Sequence, residues 1–539
     1  MLVLFQGWQS FFPDQVESAR RPLAETLYQR LTGTVLPAFL ATRRWFAAKN
    51  QRIESVAIEQ HVLWKGKEEW LLARVQVALA GGKTQTYSLP LALAWEKEGE
   101  EPLHAVRPDT LAKVRRRARM GLLYDAFADE SFCQSLVEAM GRNARIPVDG
   151  GVLRFSSTAA FASLAGDDPA QLPVRRLAVE SSNTTLLFGE RLFLKGYRRL
   201  QWGINPELEM GRFLTDVSPF DHVVPLAGAL EYEDTTKGTT ATLALLQGFV
   251  ANQGDAWNYT LDILRRLLEE CALRPDTDPK ALLTTVHGAY LTGMQTLGQR
   301  TGELHRALAK VTGDPAFDPE PISPEDLHTW NQQVCAEVAQ TLELLAQQQI
   351  HLPQALRIQA EQLLAGRDKV LARIQTLQPV TVEALKTRYH GDYHLGQVLV
   401  AKNDFILVDF EGEPGRTLEE RRQKHSPLRD VAGMLRSFNY AASTALYQAT
   451  HEQSASVAQL EPFARQWERQ TRDAFLAGYL EAIQGCPVYP QDSSTAQTLL
   501  ELFVVEKAFY ELRYELANRP DWVHVPFGAL YGLLIGDNV

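Results

Sequence analysis

Asp392, Gln397 and Asp409 combine residue types and a spacing that could carry phosphoryl transfer. They stand in two short segments, His390-Gly391-Asp392-Tyr393-His394-Leu395-Gly396-Gln397-Val398-Leu399 and Leu407-Val408-Asp409-Phe410-Glu411. The first segment predicts a tight turn entering a short apolar strand. Asn403-Asp404 predicts the turn back, and residues 405–408 a second strand ending on Asp409. Such a hairpin would hold the three polar groups at one end with little freedom. Transfer of a phosphoryl group from ATP needs an Asp to orient a hydroxyl and take its proton, an amide oxygen, and a second Asp on Mg²⁺. A His-Gly-Asp alone is often a turn, and an Asp after a strand is often a helix cap. The combination across an apolar hairpin favours the chemical reading.

The same spacing resembles H-R-D-x-x-x-x-N followed by D-F-G in protein kinases, with Gln397 where Asn is usual and Glu411 after Phe410. An upstream region has the plan of the matching nucleotide-binding lobe. Residues 174–180 are strand-like, Ser181-Ser182-Asn183-Thr184-Thr185 is a polar turn, and Leu186-Leu187-Phe188 leaves it as a strand. Gly189-Glu190-Arg191 turns the chain into Leu192-Phe193-Leu194-Lys195. The turn lacks G-x-G-x-x-G, so phosphate contacts would come from backbone N–H groups and the hydroxyls of Ser182, Thr184 and Thr185. Lys195 interrupts an apolar strand, which costs desolvation unless an anion pairs with it. Asn205 and Pro206 predict an N-cap and first position of a helix carrying Glu207 and Glu209. One of the two should pair with Lys195, and Glu209, deeper in the helix, is the expected partner. The apolar strand 241–250 followed by Asn252-Gln253-Gly254-Asp255 reads as the connector that offers its backbone to adenine, with Gln247, Phe249 and Val250 as candidates.

The elements that must position these groups form a chain of 539 residues, long enough for two or three domains. Hydrophobic content of 45% and charged content of 22% are those of an ordinary globular protein. A net charge of -10 argues against a general nucleic-acid binder. The cysteines, Cys133, Cys271, Cys335 and Cys486, form no C-x-x-C pair and suggest a reducing, cytoplasmic setting. No run reaches membrane-spanning length, so no membrane partner is expected. The abrupt apolar start, Leu2-Val3-Leu4-Phe5, permits the chain to be one half of a longer polypeptide.

Residues 1–95 predict a cap of helices, closing on Arg43-Arg44-Trp45-Phe46, and antiparallel strands divided at Lys65-Gly66-Lys67 and Gly81-Gly82. The cap's four-residue close is equally compatible with a helix end and with a surface groove. Residues 96–173 predict an intermediate region: a charged stretch, a solvated basic run at 113–119, a helix through 121–140 and a polar loop. Residues 174–254 would be the nucleotide lobe and 255–539 a helical lobe bearing the hairpin. In the helical lobe His305 reads first as a packing residue, in a helix beginning near Leu282. Helices are expected at 325–349 and 354–376, an N-cap-like role for Asp430, and a core-facing aromatic stripe at 508–516.

Together, the Asp392 and Asp409 segments, Lys424-His425-Ser426-Pro427-Leu428-Arg429-Asp430-Val431-Ala432-Gly433-Met434, Tyr514-Glu515-Leu516-Ala517-Asn518-Arg519-Pro520 and Arg44-Trp45-Phe46-Ala47 resemble bacterial maltokinase over almost the whole chain. That resemblance implies an α+β, bilobal, protein-kinase-like (aminoglycoside-phosphotransferase-like) fold with an N-terminal helix-plus-antiparallel-sheet cap domain. It also implies ATP and Mg²⁺ as cofactors, maltose as substrate, maltose 1-phosphate as product, and a route feeding α-glucan synthesis from trehalose. Asp392 would be the base, Gln397 and Asp409 the Mg²⁺ ligands, and Lys195 with Glu209 the ion pair at the phosphates. Proximity to the hairpin adds Glu411, Arg421, Lys424, His425 and Tyr440 to Asp392 as sugar contacts. The family also occurs fused to trehalose synthase, which makes that enzyme an expected partner. Two alternatives stand beside this reading: a glucose or glucosamine kinase of the same fold, and a non-catalytic protein that binds sugar or nucleotide to regulate a partner.

Overall fold

The computed structural model describes residues 1–96, 107–177, 182–273, 287–452 and 456–534. The chain divides into two units, the first made of Met1–Asp216 with Val224–Val250, the second of Val217–Val223 with Ala251–Val539.

The first unit holds two sheets. The cap sheet contains β1 (Leu2–Leu4), β2 (Ile53–Lys65), β3 (Glu69–Leu79), β4 (Lys83–Trp95), β5 (Thr110–Arg116) and β6 (Arg119–Asp125), in the order β1-β5-β6-β4-β3-β2. Along β3 the residues Leu71, Ala73, Val75, Val77 and Leu79 are buried on one face, the period-2 alternation of a half-covered strand. They pack with Leu36, Phe39, Trp45 and Phe46, so the aromatic half of Arg43-Arg44-Trp45-Phe46 belongs to the cap core. Arg43 lies over the Phe39 ring at 4.4 Å. Two expectations are corrected here. The basic run 113–119 is the β5–β6 hairpin, and residues 121–125 are strand, the helix starting only at Glu130 behind an Asp129 cap. Both strands lie beyond residue 95 and belong to the same sheet as β2–β4.

The second sheet runs β7 (Arg145–Val148), β8 (Gly151–Ser157), β12 (Leu226–Asp234), β13 (Thr239–Gly248), β11 (Leu192–Tyr197), β10 (Asn183–Phe188), β9 (Val174–Arg176). Trp64 and Trp70 of the cap sheet share a core with Leu153, Phe155, Phe188 and Leu194 of this one. Gly196 on β11 is needed there, because a Cβ would stand 2.8 Å from the Phe127 ring. Residues 178–181, with Ser181 of the expected polar turn, lie outside the described residues, as do 97–106 of the charged stretch.

The second unit is mainly helical. Gly288–Leu308 and Val457–Ile483 meet most closely: a Cβ on Gly298 would lie 2.0 Å from the Phe475 carbonyl oxygen, so glycine lets the two backbones touch. The start expected near Leu282 falls outside the described residues. The helix expected over 354–376 is two helices, Gln354–Ala365 and Arg367–Thr376, parted at Gly366. Small ladders join β14 (Glu320–Pro321) to β15 (Leu385–Lys386), and β16 (Val398–Ala401) to β17 (Asp404–Leu407). Among the described residues no helix is long and apolar enough to cross a membrane.

Candidate active site

In the first unit the polar groups gather on β10 and β11. Thr185 pairs with Lys195 across the ladder, so both side chains leave the same face of the sheet. Lys195 Nζ donates to Glu207 Oε2 at 2.7 Å. Tyr197 Oη donates to the same oxygen at 2.6 Å, and Gln247 Nε2 to Glu207 Oε1 at 3.3 Å. The expected partner Glu209 is therefore corrected to Glu207. The helix Pro206–Arg212 begins with Asn205 accepting from the Leu208 N–H, and two residues of helical rotation turn Glu207 inward while Glu209 stays half-buried. Glu207 is only 4% exposed, and three donors satisfy its carboxylate.

Thr184 points the other way. It is buried, and its Oγ1 accepts from Arg198 Nε at 2.7 Å. Arg198 is itself fully buried, bonded to Asp125 at 2.5 Å and lying over the Trp45 and Phe127 rings. Thr184 is thus a brace, correcting its expected place at the phosphates, whereas Ser182 is exposed and Thr185 half-buried. Gln247 is committed through its side chain to Glu207 and through its backbone to the ladder opposite Phe193. Phe249 and Val250 follow the end of β13, and the Phe249 N–H donates to Arg191 O at 2.8 Å.

In the second unit the hairpin is present, but its turn is Lys402-Asn403 rather than Asn403-Asp404. Both turn residues have positive φ, +52° and +62°, as a two-residue primed turn requires. Asp404 opens β17 and pairs with Arg300 at 2.7 Å. Asp409 also has positive φ, +66°, the left-handed region that Asn and Asp enter more readily than other L-residues because their short polar side chains bond locally. Gln397 Nε2 donates to Asp409 Oδ2 at 3.1 Å, which ties the two expected metal ligands together. A carboxylate and an amide oxygen are hard donors that suit Mg²⁺.

Buried hydrogen bonds set the Asp392 turn. His390 Nε2 donates to Val408 O at 2.9 Å, stapling the turn to the end of β17. The N–H groups of His390 and Gly391 donate to Asp430 at 2.7 and 3.0 Å. Asp430 is the third residue of the helix Leu428–Glu452, so it acts as a clamp on the turn rather than as an N-cap. Burial alone would raise its carboxyl pKa, and the bond from His305 at 3.2 Å, with the loop N–H groups, holds it below the ordinary value. His305 is fully buried, in keeping with the packing role. The His394 ring accepts from the Gly396 N–H through Nδ1 and brings Nε2 to 4.0 Å from Asp392 Oδ2. Burial keeps its pKa low despite that carboxylate.

A small cavity opens beside Asp392. The carboxylates in its lining are Glu337, Asp392, Glu413, Asp430 and Glu506; the cations are Arg416, Arg429 and Lys507. Lys507 Nζ bridges Asp392 Oδ1 at 3.2 Å and Glu413 Oε1 at 3.0 Å. Arg416 pairs with Glu413 at 2.7 Å, and Arg429 with Glu506. Burial would raise the Glu413 carboxyl pKa, but Lys507, Arg429 and Arg416 override it and bring the value to about 2. Lys507 is pushed up in turn, with Glu413 and Asp392 overcoming the effect of its burial.

Of the six expected sugar contacts, Asp392 alone lines this cavity. Arg421 donates to the carbonyls of Arg416 and Pro414, bracing the turn after the hairpin. Lys424 pairs with Glu320 at 2.5 Å, His425 is buried in a stack on Trp330, and Tyr440 donates to Glu515 at 2.7 Å. Glu411 is half-buried, two residues past Asp409, and outside the lining. These expectations are corrected because each of Arg421, Lys424, His425 and Tyr440 is engaged elsewhere. Sequence reasoning missed Lys507 and Glu506. Their signal was two charges between Phe503-Val504-Val505 and Ala508-Phe509, just ahead of the stretch 508–516 read as a core-facing helix.

The fold is the α+β, aminoglycoside-phosphotransferase-like kinase fold with an N-terminal cap, as the sequence led one to expect. Residues 39–129 match the model of the maltokinase N-terminal cap domain. Over most of its length the chain is similar to glucosamine kinases. That of Mycolicibacterium smegmatis is 23% identical over 363 residues, covering 67% of this chain and 79% of its own. That of Streptacidiphilus jiangxiensis is 23% identical over 428 residues, covering 78% and 83%. A solved glucosamine kinase in complex with glucosamine, ADP and inorganic phosphate superposes with a TM-score of 0.59 at 18% identity, covering 92% of this chain and 99% of that one. These relatives overturn the expectation of a maltokinase acting on maltose, and with it that of trehalose synthase as partner.

Proposed function

We propose that the protein transfers a phosphoryl group from ATP to a hydroxyl of glucosamine. The carrying observation is the charge of the cavity beside Asp392: five carboxylates against three cations, an excess that suits a sugar bearing an ammonium group. The similarity to glucosamine kinases over most of the chain supports the same reading. Asp392 orients the accepting hydroxyl and takes its proton, and the Lys507 ammonium fixes that carboxylate from one side. Lys195, held by Glu207, meets the phosphates together with Ser182, Thr185 and backbone N–H groups. Gln397 and Asp409 hold Mg²⁺, which neutralises charge on the phosphates when bound. Because the transition state is loose, positioning and electrostatics supply most of the catalysis.

The test is kcat/KM for glucosamine, N-acetylglucosamine, glucose and maltose in a coupled ADP assay, with phosphorus NMR of the products. Glucosamine should exceed glucose by about tenfold or more, since the excess negative charge of the cavity favours the sugar that carries an ammonium group. Equal rates for glucosamine and glucose would remove the amino-sugar assignment. No ADP release with any sugar would remove the kinase reading.

A further inference from the structure

The first unit contains another pocket, small and partly open, between the cap sheet and the seven-stranded sheet. Leu72 on β3, Leu153 on β8 and Leu243 on β13 line it, with a few polar groups among them. Its walls are mainly apolar with a few polar groups, the kind of lining that binds small molecules. Among the described lining residues Arg74 is the one Lys, Arg, Asp or Glu.

The guanidinium of Arg74 is held in place. β2 carries a register shift between Ile58 and Gln60, which leaves Glu59 as the extra residue and sets Gln60 opposite Arg74. Glu59 Oε2 accepts from Arg74 Nε at 3.2 Å, and the guanidinium carbon lies 5.2 Å from the Tyr232 ring centroid. Nη1, by contrast, is buried and meets no acceptor among the described residues. A buried guanidinium donor without an acceptor is costly, and a bulge that fixes its other edge makes the orientation permanent.

We propose that this cavity binds a small carboxylate with an apolar body. One carboxylate oxygen accepts from Arg74 Nη1, and the body lies against Leu72, Leu153 and Leu243. A monoanion fits better than a phosphate, because Glu59 already offsets part of the single cation and a second negative charge would be desolvated against leucines. The site is independent of the sugar-kinase reading and does not use its residues.

The test is calorimetric titration of the full-length protein with hexanoate and phenylacetate, against hexan-1-ol and hexylamine. Saturable binding of an acid is expected, about tenfold tighter than that of the alcohol, with none of the amine. Arg74→Met should weaken the acid by a similar factor, and Val148→Phe, which fills the cavity from β7, should abolish it. No saturable heat with either acid, equal affinity for acid and alcohol, or undiminished binding by Val148→Phe would overturn the proposal. Should Arg74→Met fail to fold, the acid–alcohol comparison and Val148→Phe decide it.

Discussion

Asp392 sits between two partners of different kinds, the ammonium of Lys507 at 3.2 Å and the imidazole of His394 at 4.0 Å. Asp392→Asn keeps the shape but cannot take a proton. Turnover should fall by about 10²–10⁴-fold while nucleotide binding persists, checked by a coupled ADP assay and calorimetry. Turnover equal to wild type would remove Asp392 as the base. Residue type and spacing made the hairpin between Asp392 and Asp409 legible in the sequence, since few arrangements place two aspartates around an apolar hairpin. The choice between Glu207 and Glu209 was not legible, because helical rotation against the sheet decides it. Glu413 gives a second prediction. Its pKa falls from the ordinary 4.5 to about 2, so its stabilisation is complete above pH 4.5 and is lost as pH falls towards 2. The shift corresponds to about 3 kcal/mol. Glu413→Gln should be less stable at neutral pH, having left Lys507 and Arg416 without their carboxylate, and should lose less on acidification through that window. Urea unfolding between pH 2 and 7 measures both, and parallel pH profiles for variant and wild type would contradict the assignment.

At the scale of elements, the Asp392 turn is set by Asp430 from a helix that starts well after it in sequence. That carboxylate receives two loop N–H groups and the His305 imidazole, all buried. Asp430→Ala would leave these donors without an acceptor at a cost of about 2–4 kcal/mol. The loss should be accompanied by faster hydrogen exchange at residues 390–397, which a merely local packing defect would leave unchanged. The sequence showed the hairpin, because apolar runs around a polar pair fix two strands, but misplaced its turn by one residue. It hid β5 and β6 for a different reason. β5 buries Val114 alone and carries Lys113, Arg115 and Arg116, so a strand looked like a solvated charge run.

At the scale of the whole chain, the kinase-like fold was readable because its chemistry lies in short local motifs. The sugar was not, because the cavity is assembled from distant segments: Lys507 and Asp392 are separated by 115 positions. Motifs shared through a fold point to phosphoryl transfer and leave the acceptor to such long-range contacts. The groups proposed for the nucleotide allow one further test on the intact protein. Lys195 and Glu207, 13% and 4% exposed, lie in the first unit with Thr185. A ligand that binds only the folded state adds RT ln(1 + [L]/Kd), about 2.7 kcal/mol at a hundredfold excess over Kd. For a unit of a few hundred residues that raises the midpoint by roughly 5–10 °C. Calorimetric scans with and without MgATP should show such a rise in wild type and its collapse in Lys195→Met, which keeps the side chain's length and removes its charge. Lys195→Met lowers the ligand-free midpoint too, since Glu207 loses one of its donors, so the quantity to compare is the shift within each protein. A full shift in Lys195→Met would exclude Lys195 as a phosphate contact, and no shift in either protein would exclude MgATP as the nucleotide bound.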